Sequence, residues 1–230
     1  MDKEKLKAIQ EEMVKKVIIP EGNQGYLPRK GNLIFTLDIQ YEKEIAYAAV
    51  DILRWGKELI GVAVKAYEVK VPYVPGYFAF REGPILVQAI ENIRKKLGLS
   101  PDLIIVDGHG TAHPRQFGLA CWLGVKLGIP TLGVGKETLV QYEGQPGNKA
   151  GAKSGIHVDN KLVGYVLRTQ EGIKPVFVSA GHKISQENTA KVVMALRGAY
   201  RQIEPVRRAD QAARAFARGE KTKNMIDLGA

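Results

Sequence analysis

One cysteine, Cys121, stands among 230 residues, so no disulfide can close within the chain. It lies beside Trp122 in an apolar run and reads as core, which fits a reducing, cytoplasmic compartment. No apolar run is long enough to span a bilayer, and the start of the chain lacks the apolar stretch of a secretion signal. No membrane partner is expected. Internal repeats and low-complexity tracts are absent. Several catalytic signatures are missing too. Gly133-Val134-Gly135-Lys136 hints at a phosphate loop, but Pro130 and Glu137 stand where that loop needs Gly and Ser or Thr. His109 and His113 have the spacing of a zinc-binding helix, but Gly110 and Pro114 interrupt any helix there and no Glu follows His109. No Gly-x-Ser-x-Gly, dinucleotide fingerprint or supported Cys/His pair occurs.

What is present is positive charge. Lys and Arg number 34 against 24 Asp and Glu, a formal net charge of +10, which favours a polyanionic partner. Residues 181–230 hold ten of those cations and five acids, so half of the excess falls in the last fifth of the chain. A solvated helix surface and a loose tail would also account for it.

Hydrophobic periodicity orders the elements. A helix is expected from Lys5 to about Lys16. Strands follow at Leu33–Asp38, Ile45–Leu53 and Leu59–Val71, close enough in sequence for an antiparallel meander. Val71–Phe80 is irregular, and Glu82 opens a helix reaching about Leu97. A buried strand, Leu103–Asp107, precedes a helix near Phe117–Leu127, and Thr131–Val134 is a further strand. The glycine-rich segment 144–155 reads as a surface excursion. Strands at Leu162–Arg168 and Val176–Ser179, then helices near Ser185–Gly198 and Pro205–Ala217, complete the series. The expectation is one domain spanning 1–230, with its core at about 33–213, a helix and crossing over 1–30, and a mobile basic tail over about 218–230. The class is α/β: a mixed sheet of three meandering strands followed by parallel ones, flanked by helices. This is the arrangement of the ribonuclease H-like fold.

Acids mark the ends of the first and fourth strands. Asp38 and Asp107 would repel each other unless a cation stood between them, and hard oxygen ligands favour Mg²⁺ or Mn²⁺ over zinc. Glu82 is a third candidate, although a glutamate opening a helix is equally well explained by the helix dipole. After Asp107 comes the small-residue loop Gly108-His109-Gly110-Thr111-Ala112-His113, whose main chain can approach a flat ligand. Pro72-Tyr73-Val74-Pro75 is a stiffened aromatic tip suited to prising a base stack apart, or else a loop packed on its own domain. Lys136, just past a strand, could neutralise a phosphate or simply be surface. Gly181-His182-Lys183 is a second polar loop, with structural capping an equal alternative.

Together these segments resemble the endonuclease V family. The resemblance rests on Asp38-Ile39-Gln40-Tyr41, the run Pro72–Pro84 (PYVPGYFAFREGP), Val106–Arg115 (VDGHGTAHPR), Gly133–Lys136, Pro175–His182 and Arg207-Arg208-Ala209-Asp210. It extends over roughly residues 33–213. It implies a ribonuclease H-like core in which Asp38, Asp107 and Glu82 bind Mg²⁺, with Mn²⁺ as substitute, and Asp210 lies in or beside the metal site. It implies that Lys136 is the lysine near the scissile phosphate and that Tyr73, within Pro72, Val74 and Pro75, is the strand-separating wedge. The everted base would be held by Phe78, Gly108, Gly110, His113 and Leu119. Separately from the resemblance, the basic residues of the last fifth of the chain, Arg207 and Arg208 among them, could track a nucleic-acid backbone. Ala180 and Lys183 depart from the family's usual Pro and Arg. The implied activity is hydrolysis of the second phosphodiester 3′ to hypoxanthine in DNA, by a monomer, initiating repair. The alternatives are an endoribonuclease for inosine in RNA, a non-catalytic nucleic-acid-binding protein, and a hydrolase of small phosphoesters.

Overall fold

A ten-residue strand, β1 (Leu33–Glu42), organises the molecule. Its odd positions Phe35, Leu37 and Ile39 enter one hydrophobic core and Ile34 enters another, so period-two alternation gives the two faces of the sheet different partners. The computed structural model describes residues 3–56, 58–71, 74, 76–142 and 144–229. β1 is followed by antiparallel neighbours β2 (Ile45–Arg54) and β3 (Glu58–Glu68). On its other edge β1 pairs in parallel with β4 (Leu103–Val106), and β4 with β5 (Thr131–Gly135). A second antiparallel set, β6 (Lys153–Val158), β7 (Lys161–Leu167) and β8 (Val176–His182), joins through β8 to β5. The described sheet has nine strands in the order β6-β7-β8-β5-β4-β1-β2-β3-β9, the last being β9 (Met225–Asp227).

Helices cover both faces. On one lie α1 (Lys3–Val14), α2 (Phe78–Leu97) and α3 (Leu119–Leu127). Ile85, Leu86, Ala89, Ile90 and Ile93 of α2 pack with Phe35, Leu37, Ile104 and Val106. On the other lie α4 (Gln186–Ala195) and α5 (Glu204–Ala217), with Val192, Val193 and Val206 against Ile34, Ile105 and Val134. Helix ends follow local chemistry. α2 and α3 stop at Gly98 and Gly128, both at φ 69°, and the Ser185 hydroxyl accepts the Asn188 N–H at 3.1 Å to start α4. No helix among the described residues is long and apolar enough to cross a membrane.

Several boundaries differ from expectation, and the physical reason is plain for four of them. β1 continues four residues past Asp38, because β2 still pairs there after β4 has ended; Asp38 is therefore mid-strand. α2 begins at Phe78, so Glu82 occupies its second turn and is buried rather than opening the helix. β6 occupies the end of the expected surface excursion. Its signal was the turn that follows: Asp159 and Asn160 have φ of 50° and 60°, the pair of positive values a two-residue type I′ hairpin requires. The tail expected to be mobile instead carries β9, parallel to β3, and buries Leu228. Gly61 makes room for this, since a Cβ there would meet Ile226 Cδ1 at 2.5 Å.

Candidate active site

Parallel pairing brings two acids together. Leu37 of β1 is the register partner of Val106 of β4, and the Asp107 N–H extends the ladder by donating to the Leu37 carbonyl at 3.2 Å. The next pair is thus Asp38 beside Asp107. Adjacent strands lie about 4.8 Å apart, and register partners project to one face. That face carries α5, which supplies Asp210. Gln40, two residues beyond Asp38 and on its face, donates to Asp210 Oδ1 at 3.4 Å, and Arg214 grips the same oxygen at 2.9 Å from one helical turn away. Glu82 comes from α2 across the sheet. Lys136, beyond the end of β5, places its Nζ 3.6 Å from Asp107 Oδ2.

The electrostatics record this crowding. Burial pushes the Asp38 carboxyl up to about 7, with Asp107 and Asp210 adding to the rise. Glu82 is pushed well above the usual carboxylate range by burial and then by Asp38, with Asp107 adding and Arg81 opposing. Asp107 is raised by burial, with the Lys136 ammonium pulling it back. Asp38 Oδ2 is buried and accepts no hydrogen bond. A buried acceptor without a donor requires a proton or a cation, and an all-oxygen donor set suits a hard divalent ion. Among the described residues, no three His, Cys, Asp or Glu side chains already form an ion-holding group. The acids share a neighbourhood without being a finished cage.

Next to Asp107 opens a cavity of about 390 Å³. Gly108, Phe78, His113 and Leu119 line it, four of the five expected there. Phe117, Leu139 and Gln10 of α1, unassigned by the sequence reading, line it as well. Gly110 is the exception. Its N–H donates to Ser179 Oγ at 2.8 Å, and a Cβ on it would lie 2.1 Å from the Ala180 carbonyl oxygen. It seats the loop against β8 and has no free N–H for a ligand. Gly118 and Gly133 do similar work, since a Cβ at either would come within 2.5 Å of a carbonyl oxygen of this loop. His113 is buried, and its Nδ1 accepts the Arg115 N–H at 3.2 Å. Burial lowers its pKa to about 4, so near neutral pH it is uncharged with its proton on Nε2, a hydrogen-bond donor.

The tip Pro72, Tyr73 and Pro75 lies outside the described residues. Its flanks are anchored: the Tyr77 N–H donates to the Val74 carbonyl at 2.9 Å, and Arg115 lies 4.7 Å over the Tyr77 ring and donates to the Gly76 carbonyl. Two polar side chains are committed within the fold. His182 belongs to β8 and is buried, its Nδ1 accepting the Ile18 N–H at 3.2 Å, so Gly181-His182 is no ligand-facing loop. Arg208, expected along the nucleic-acid backbone, is engaged inside the fold. It is committed to Asp51, which is wholly buried, through contacts of 2.6 and 3.0 Å. Gln40 and Arg214 were overlooked; the two-residue step from Asp38 and the four-residue step from Asp210 were the available signals.

Known proteins resemble this chain over most of its length. A family profile described as Endonuclease V matches residues 12–211. Endonuclease V of Streptomyces coelicolor is 38% identical over 218 residues, covering 94% of this chain and 91% of that protein. The crystal structure of Endonuclease V from Streptomyces avermitilis superposes with a TM-score of 0.85 at 36% identity, covering 95% of this chain and 94% of the other. Ciona intestinalis Endonuclease V, in complex with a 24mer DNA containing an inosine followed by a ribo-adenosine, gives a TM-score of 0.80 at 26% identity, covering 94% and 98%.

Proposed function

Since this chain belongs to the endonuclease V family, we propose that it hydrolyses the second phosphodiester 3′ to a deaminated purine in DNA, leaving 3′-hydroxyl and 5′-phosphate ends and so initiating repair. One observation carries the reading: Asp107 belongs to the crowded acids, and Gly108, its chain neighbour, walls the cavity. A base turned into that cavity brings its own backbone to the carboxylates. Flipping is cheapest for a weakly paired base such as hypoxanthine. The volume lies within the range of small-ligand pockets.

Recognition follows from donor and acceptor chemistry. Hypoxanthine presents a carbonyl where adenine presents an amino group. The His113 Nε2–H complements the carbonyl and would face the amino group donor to donor. Phe78 and Leu119 contribute apolar walls. Asp38, Asp107, Asp210 and Glu82 would hold Mg²⁺, or Mn²⁺ in its place. When bound, the cation neutralises charge on the attacked phosphodiester and acidifies water. Lys136 positions the phosphate and balances Asp107. Gln40 and Arg214 orient Asp210. Tyr73, between Pro72 and Pro75, props the gap in the duplex. The protein acts as a monomer in the cytoplasm.

A second reading is cleavage at inosine in RNA, favoured by the ribo-adenosine that follows inosine in the Ciona complex. The test uses matched DNA and RNA strands with one inosine or one adenosine, in Mg²⁺ and in EDTA. Chelator-sensitive cutting of inosine strands alone is expected. Cutting that ignores the base, or persists in EDTA, would overturn the reading, and the sugar preferred decides between the two forms.

A further inference from the structure

A second cavity, of about 250 Å³, adjoins the same acids. Lys136 and Asp210 line it, so it meets the carboxylates from α5 and the end of β5. The other charged groups lining it are cationic. Arg201 is held by the Pro175 carbonyl at 3.0 and 2.8 Å and by the Lys136 carbonyl, and among the described residues no carboxylate lies within 4.0 Å of it. Arg207 lies with its guanidinium carbon 3.5 Å over the Tyr200 ring. It forms a loose ion pair with Glu204, one turn earlier on α5, at 3.9 Å, and its Nε is buried without a hydrogen bond. Stacking therefore places this guanidinium, and among the described residues its donors are committed to no hydrogen bond. Tyr200, the aromatic under it, is 53% exposed.

A guanidinium held by stacking and a loose ion pair, with no hydrogen bond made by its donors among the described residues, beside an exposed aromatic ring is the chemistry that binds a backbone phosphate and its nucleotide. The base cavity reaches the carboxylates through Gly108, and this one reaches them through Lys136 and Asp210. A strand entering by the first would leave by the second. We propose that the cavity formed by Tyr200, Arg201 and Arg207 is a subsite for the nucleotide on the 3′ side of the scissile phosphodiester, with Arg207 binding its phosphate and Tyr200 supporting its sugar and base. The inference rests on the functional reading above for the direction of the strand.

The test measures equilibrium binding in EDTA, without turnover. Fluorescent inosine strands end either at the scissile position or two nucleotides beyond it. The wild-type chain should prefer the longer strand by about tenfold, the effect of one good charge-assisted contact. R207Q should bind both lengths alike, at the level the wild type shows for the short strand. Y200A, altered at a half-exposed ring, carries the same expectation should R207Q melt early. A wild type indifferent to length, or folded variants that keep the tenfold preference, would overturn the subsite. A wild type that prefers the longer strand but binds inosine and adenosine strands equally leaves the subsite standing and removes the functional reading instead.

Discussion

Replacing Arg208 by alanine separates a structural ion pair from a nucleic-acid contact. Asp51 stands in the middle of β2 with no solvent exposure, and its two oxygens meet the Arg208 guanidinium at 2.6 and 3.0 Å. Removing one partner of such a pair leaves a buried charge without compensation, a loss of about 3–5 kcal/mol. For a chain of this size that corresponds to a drop of roughly 6–20 °C in melting temperature. The pH dependence supplies a second signature. Burial already raises Asp51 to about 6 against the pull of Arg208, and loss of the arginine raises it further. The carboxyl of the variant then takes up a proton as the pH falls, the uncompensated charge vanishes, and the gap to wild type narrows. Urea unfolding at pH 7.5 and 5.5 measures both. The double variant Asp51→Leu with Arg208→Met should recover most of the lost stability, because an apolar pair replaces an ionic one without leaving an orphan. An Arg208→Ala protein that melts like wild type but binds inosine strands with a shallower salt dependence would refute the assignment and restore Arg208 to the strand.

Other outcomes follow from the same geometry. Asp107→Ala should lower cleavage by at least about 10³-fold, since several kcal/mol of charge stabilisation depend on it, while inosine-dependent binding in gel shift survives; cutting retained in Mg²⁺ would remove Asp107 from the metal site. Tyr73→Ala should reduce cutting of duplex more than of single strands, and equal losses would argue against a wedge. His113, lowered to about 4 by burial, favours the folded state fully above pH 6.5 and loses that contribution as the pH falls towards 4. The stability lost by wild type between pH 7 and pH 4 should therefore exceed that lost by His113→Asn by about 3 kcal/mol; equal losses in urea titrations would contradict a buried neutral imidazole.

Composition and local pattern were enough to place most elements and to single out the acids. The run of Leu103 to Val106 is apolar because both sides of the strand are covered, so its end at Asp107 was legible without coordinates. Phe78, Gly108, His113 and Leu119 were legible through the family resemblance and do share one cavity. Three-dimensional pairing corrected what single segments could not express. Asp38 resembles a strand end only until β2 is seen to continue beside it. Gly110 resembles a ligand-facing glycine until Ser179, 69 positions later, takes its N–H. β9 is three residues in a polar tail and forms because β3 offers it an open edge.

The chain by itself determined the alternation of β1, the turns that end α2 and α3, and the chemical character of each acid, since these depend on residues within a few positions of one another. Only the tertiary structure decided which of the arginines Arg207 and Arg208 lines the cavity beside Lys136 and Asp210 and which pairs with the buried Asp51. Neighbours on a helix point about 100° apart. Which direction becomes interior depends on the strands beneath, and those strands come from the other end of the sequence.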